Sequence, residues 1–96
     1  MPTYVTLGKW TEQGIKTVKD APKRTAAARA AMEKVGAKMT GFYITMGEYD
    51  FVAISEAPND EVAMQVALTI GMQGNVRTTT MKAWAVEDAA KVISKL

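Results

Sequence analysis

The phrase GEYD places Tyr49 and Asp50 side by side behind Gly47 and Glu48, the one point in the chain where a phenol adjoins carboxylates. A tyrosine hydroxyl can donate a hydrogen bond, and an aspartate can bind a cation or act as a base. Tyr43, slightly upstream, could join them, so Asp50, Tyr49 and Tyr43 are the candidate catalytic groups. The same residues also have a mechanical reading. Gly47 suits a positive φ angle, and Asp50 can accept bonds from main-chain amides in a turn. The corner is the leading reading, with the pocket rim as its alternative.

Other side chains extend the ligand-binding set. Trp10, followed by Thr11, stands where a strand passes into a helix; an indole there either packs in a core or interface, or lines a pocket. Arg24 and Arg77 could grip an anion through the planar guanidinium fork, or simply solvate a surface. The full set is Trp10, Arg24, Tyr43, Tyr49, Asp50 and Arg77.

Much chemistry is excluded. The 96 residues include no histidine and no cysteine. Thiolate nucleophiles, disulfides, Cys/His zinc sites and the commonest general base are therefore absent, and no metal or cofactor is expected. Twelve basic residues oppose 10 acidic ones, a net charge of +2. Without histidine even this small surplus makes the isoelectric point basic, so it does not point to nucleic acid. The segments KDAPKR and EKVGAK lack the interleaved aromatics of a single-strand-binding surface. No phosphate loop or dinucleotide fingerprint occurs. The seven methionines look dispersed at core-like positions. No apolar run approaches a membrane span, and MPTYVTLGKW lacks the layout of a secretion signal, which predicts no membrane association and a cytoplasmic location.

The elements that must position these groups follow from periodicity. TYVTLGKW alternates as a first strand, with Val5 and Leu7 opposed to Tyr4, Thr6 and Trp10. From Thr11 to Gly36 apolar residues recur at helical spacing, with a kink or a change of helix expected near Asp20 because Pro22 belongs at a helix start. AKMTGFYITM and YDFVAISEA form a hairpin about Gly47 and Glu48, with Phe42 and Ile44 opposed to Met39 and Tyr43. Pro58, Asn59 and Asp60 open a second helix, which Gly74 and Asn75 end. VRTTTMKAWAV reads as a fourth strand, with Trp84 expected to pack under a terminal helix, EDAAKVISKL.

The order predicts one α+β domain over residues 1–96, a ferredoxin-like βαββαβ fold with a C-terminal helix. Its four-stranded antiparallel sheet carries both helices on one face. The other face is assigned Tyr4, Thr6, Tyr43, Phe51 and Ala53, too apolar for water, and a second copy packing there is the expected partner.

TLGKWTEQGIK, GEYDFV, EAPNDE and GNVRTTTMKAW, in that order, resemble the GYD-domain family of small bacterial and archaeal proteins across nearly the whole chain. The resemblance implies a dimeric α/β-barrel architecture shared by oxygenases, isomerases and effector-binding domains, so it implies no single activity. Three functions are carried forward. One is a homo-oligomeric small-molecule-binding or sensing module with a pocket between sheet and helices. Another is a cofactor-independent monooxygenase or isomerase, and the third is a structural assembly protein.

Overall fold

The computed structural model describes residues Met1–Leu96. Strand β1 (Thr3–Trp10) leads into a short helix α1 (Glu12–Lys16), a 3₁₀ turn (Val18–Asp20) and the long helix α2 (Ala21–Lys34). Then come β2 (Lys38–Ile44), β3 (Phe51–Glu56), α3 (Asp60–Met72), β4 (Val76–Ala83) and α4 (Val86–Ile93). The boundaries have local causes. The Thr11 hydroxyl caps α1, accepting from the Gly14 amide at 3.0 Å. Pro22 sits in the first turn of α2, where its missing N–H costs nothing, and the expected break near Asp20 is the 3₁₀ turn. At Gly36 φ is +81°, and α2 stops there. Asn59 caps α3 by accepting from the Val62 amide at 2.9 Å.

The strands form one antiparallel sheet in the order β2-β3-β1-β4, which is the expected βαββαβ layout. Two local expectations need correction. The β2–β3 connection runs from Thr45 to Asp50 and is longer than Gly47 and Glu48 alone, because the Thr45 amide bonds the Asp50 carbonyl at 2.8 Å and closes a wider loop. A register shift between Met39 and Gly41 absorbs one residue at Thr40. Such a bulge reverses the alternation beyond it, so Met39 and Phe42 share a face.

Both α2 and α3 cover the side of the sheet that carries Tyr4, Thr6, Trp10, Phe42, Phe51 and Ala53. Tyr4, Met32, Ala37 and Ala57 form its buried cluster, with Val35, Met39, Val62, Ala63 and Val66 packed around them. The interface expectation is thereby corrected: Tyr4, Phe51 and Ala53 are buried within the chain and Thr6 lies under the helices. Only Tyr43 of that set is on the open face, paired with Val52. Alternation separates two faces without saying which receives the helices, and here both are apolar.

The open face has its own apolar rows. Gly41, Ile54, Val5 and Met81 lie across the sheet in one row, and Tyr43, Val52, Leu7 and Thr79 in the next. Nothing in the chain covers them. The accessible surface is 6709 Å², against about 5,400 Å² from the scaling for compact monomers of this mass. The radius of gyration, 14.4 Å, likewise exceeds the ~12.5 Å of a compact chain of this length.

Candidate functional site

Asp50 is a pin. Its carboxylate Oδ2 accepts from the Trp10 amide at 2.8 Å, and its own amide donates to the Gly8 carbonyl at 2.7 Å. These two bonds tie the hairpin end to the last residues of β1. Tyr49 is held similarly, its carbonyl accepting from the Thr45 hydroxyl at 2.6 Å and its ring lying 5.2 Å beneath the Lys9 ammonium. Tyr43 stands apart on the open face. The three proposed catalytic groups therefore do not converge.

The fold instead leaves a cleft between the sheet and the two long helices, with a cavity volume of about 100 Å³. Met32, Met39, Phe42, Phe51, Val66 and Ile70 supply most of its apolar wall, and Thr6, Ser55 and Thr78 place hydroxyls along the sheet. Gly8 makes room for the wall, since a Cβ there would stand 2.0 Å from the Phe51 ring. That ring stacks on Phe42 at 5.1 Å and tilts against Trp10 at 5.6 Å. Asp50 thus orients the Trp10 end of the cleft without lining it.

Trp10 and Arg24 do line the cleft. The Arg24 guanidinium lies 5.7 Å from the centre of the Trp10 ring, within the range of cation–π attraction. Its Nη1 donates to the Thr17 hydroxyl at 2.8 Å and the Thr17 carbonyl at 3.3 Å, and its Nη2 to the Gly14 carbonyl at 3.2 Å. The segment around α1 is itself clamped to the start of β4. Thr11 donates to the Gly74 carbonyl at 2.6 Å, Gln13 to the Asn75 side chain at 2.9 Å, and a Cβ on Gly14 would meet the Asn75 carbonyl oxygen at 1.9 Å. The segments TLGKWTEQGIK and GNVRTTTMKAW supply the two halves of this clamp. Arg77 is exposed on the open face, paired with Lys9 and outside the cleft. Trp84 is exposed as well, close to the Lys82 ammonium, which corrects its expected place under the terminal helix.

Sequence reasoning missed one polar group. The Tyr4 hydroxyl donates to Asp60 Oδ1 at 2.5 Å, and Lys82 pairs with the same carboxylate at 3.1 Å. The bond to Asp60, burial and the carboxylate charge push the Tyr4 phenol up to about 12. Its hydrogen bond from Tyr4, then that from Lys82, hold the Asp60 carboxyl below its usual range. This clasp fixes β1, α3 and β4 together and keeps the phenol protonated. The signal was present in Asp60, a carboxylate just inside a helix start, but its partners are distant in sequence. No three acidic side chains gather to hold a metal ion, and no helix is long and apolar enough to cross a membrane.

A two-layer α+β chain with one apolar face open and an internal cleft is the class that fold and site define. Residues 4–93 match the GYD domain, and the chain belongs to that family. A relative from Thermus thermophilus, named a glutamine synthetase and cystathionine beta-lyase binding protein, is 30% identical over 89 residues, 92% of this chain and 94% of its own. Among solved structures, a crystallised FFRP chain superposes with a TM-score of 0.59 at 20% identity, covering 88% of this chain and 100% of its own. The crystal structure of TTHA0845, also from Thermus thermophilus, gives 0.57 at 23% identity, covering 88% and 95%. At these identities the structural likenesses speak for the fold alone.

Proposed function

We propose that this chain is a homo-oligomeric binding module, in which a second copy covers the open sheet face and the cleft between sheet and helices receives a small molecule. The observation that carries the reading is the cleft: it is apolar along its wall and has polar groups gathered at its Trp10 end, the usual make-up of a small-ligand site. The open rows about Val5, Leu7, Val52 and Ile54 support self-association, since exposed apolar patches of that kind mark interfaces. Native mass spectrometry with denaturing release tests both parts. An even-numbered oligomer that releases a discrete small molecule is expected, and a monomer that releases nothing would overturn the reading.

A second reading concerns protein partners. The Thermus thermophilus relative is named for binding two enzymes, and α3 carries Met64, Leu68 and Met72 in an exposed line at helical spacing. These methionines are not at core positions, contrary to the expectation from sequence. Flexible, polarisable methionine surfaces suit docking. Binding of purified glutamine synthetase should be lost with Leu68→Glu while the oligomer stays intact; equal binding by that variant removes α3 from the interface.

A further inference from the structure

Arg24 carries a charge that the chain does not neutralise. Its three bonds all go to neutral oxygens, those of Gly14 and Thr17. The chain's ion pairs join Lys9 to Glu48, Lys16 to Glu12 and Lys82 to Asp60, and none of them includes Arg24. A guanidinium has five N–H donors, so two remain uncommitted. The group is half-buried at the lining of an apolar cleft, anchored from behind and laid against Trp10. A cation drawn partly out of water without a counter-charge favours an arriving anion.

Asn75 adds to this. It lines the same cleft, and its side-chain oxygen already accepts from Gln13 at 2.9 Å. That bond fixes the amide orientation and leaves the NH₂ donors free.

We infer that the cleft binds a small monocarboxylate, its carboxylate held by Arg24 and the Asn75 amide and its apolar tail lying among Phe42, Phe51, Val66 and Ile70. A planar fork matches a carboxylate through paired bonds. The tail length follows from the volume. A closed cavity of ~150 Å³ holds the six carbons of benzene, so the 100 Å³ here takes about four tail carbons, as in hexanoate with its carboxylate and first methylene at the Arg24 end. The inference rests on the reading of the cleft as a ligand site and adds the class of ligand.

The test uses Trp84→Phe, which leaves Trp10 as the sole indole, and follows its fluorescence during titration with hexanoate and with hexanol. Hexanoate is expected to bind at least tenfold more tightly than hexanol. Arg24→Gln should abolish the advantage of the acid over the alcohol, and Arg24→Lys, which keeps the charge but not the fork, should leave part of it. Ala28→Leu, filling the cleft from α2, should abolish both and checks that the signal arises there. Equal affinities for acid and alcohol would overturn the assignment to carboxylates, and an acid preference that survives Arg24→Gln would overturn the part given to Arg24; either leaves the cleft a ligand site. A Trp10 signal that neither compound alters would overturn the cleft reading itself.

Discussion

At the scale of single residues, GEYD is explained by hydrogen bonds, with Asp50 joining two strands through Trp10 and Gly8. Asp50→Ala should lower stability by about 1–3 kcal/mol, the cost of stranding the Trp10 amide that faced a charged acceptor, measured by urea denaturation. Asp50→Asn, which keeps an acceptor, should lose less than half as much; equal losses would show that the bond to Trp10 contributes little. The glycines make a second comparison. Gly8→Ala drives a methyl into the Phe51 ring, which can tilt, whereas Gly14→Ala meets a main-chain carbonyl, which cannot. Overpacking should cost about 1–3 kcal/mol at Gly8 and more at Gly14, and the reverse order would contradict the clamp. The Tyr4–Asp60 bond sets a pH dependence at both ends. Between pH 10.0, the ordinary tyrosine value, and about 12, the unfolded chain releases a proton that the folded chain keeps, so stability falls as pH rises. Below 3.8, the ordinary aspartate value, the unfolded chain takes up a proton that the folded chain resists, so stability falls as pH drops. One of the three tyrosines should ionise late in a native phenolate titration, and Tyr4→Phe should remove that step.

At the scale of elements, strands and helices were legible because each carries its own period and stop signals, such as Pro22 before α2, Gly36 after it and Asn59 before α3. The side of the sheet was not legible. Val5 and Leu7 are as apolar as Tyr4 and Thr6, and the cue lay in small residues: Gly8 and Ala53 are on the covered face, where the Phe51 ring and the helices need space. The Thr40 bulge was hidden because alternation in AKMTGFYITM continues through it. In the candidate site, Trp10 and Arg24 were recognisable by type, but their meeting depends on the α1 turn folding back. Helix α4 presents Val86, Val92 and Ile93 to solvent, and Leu96 beyond its end is exposed as well. In a chain made monomeric by Leu7→Lys, Val92→Ser with Ile93→Ser should change stability by less than about 0.5 kcal/mol, as for surface positions. A larger loss in thermal melts would mean that α4 packs on its own sheet.

At the scale of the whole molecule, the surplus of roughly 1,300 Å² over a compact monomer exceeds the ~800 Å² that a standard interface takes from one partner, and the exposed helix α4 adds to it. Sedimentation should find an even-numbered oligomer for the unaltered chain and a monomer for Leu7→Lys or Ile54→Lys. Phe51→Ala should act differently, losing about 3–5 kcal/mol as a core deletion without a specific change of mass; clean dissociation by Phe51→Ala alone would restore it to the interface. The strand order has a further consequence, for the route by which the chain reaches this state. β1 precedes the other strands in the chain and lies between β3 and β4, with Thr3 paired to Ala83 and Trp10 to Val76. One edge of the first strand therefore stays unpaired until β4, the last of the four strands, has been made. Pairings so remote in sequence slow folding, and an open edge can recruit the wrong strand meanwhile. In a crowded cell the β4-facing edge of β1 is therefore a transient liability of the nascent chain, and it vanishes once β4 arrives.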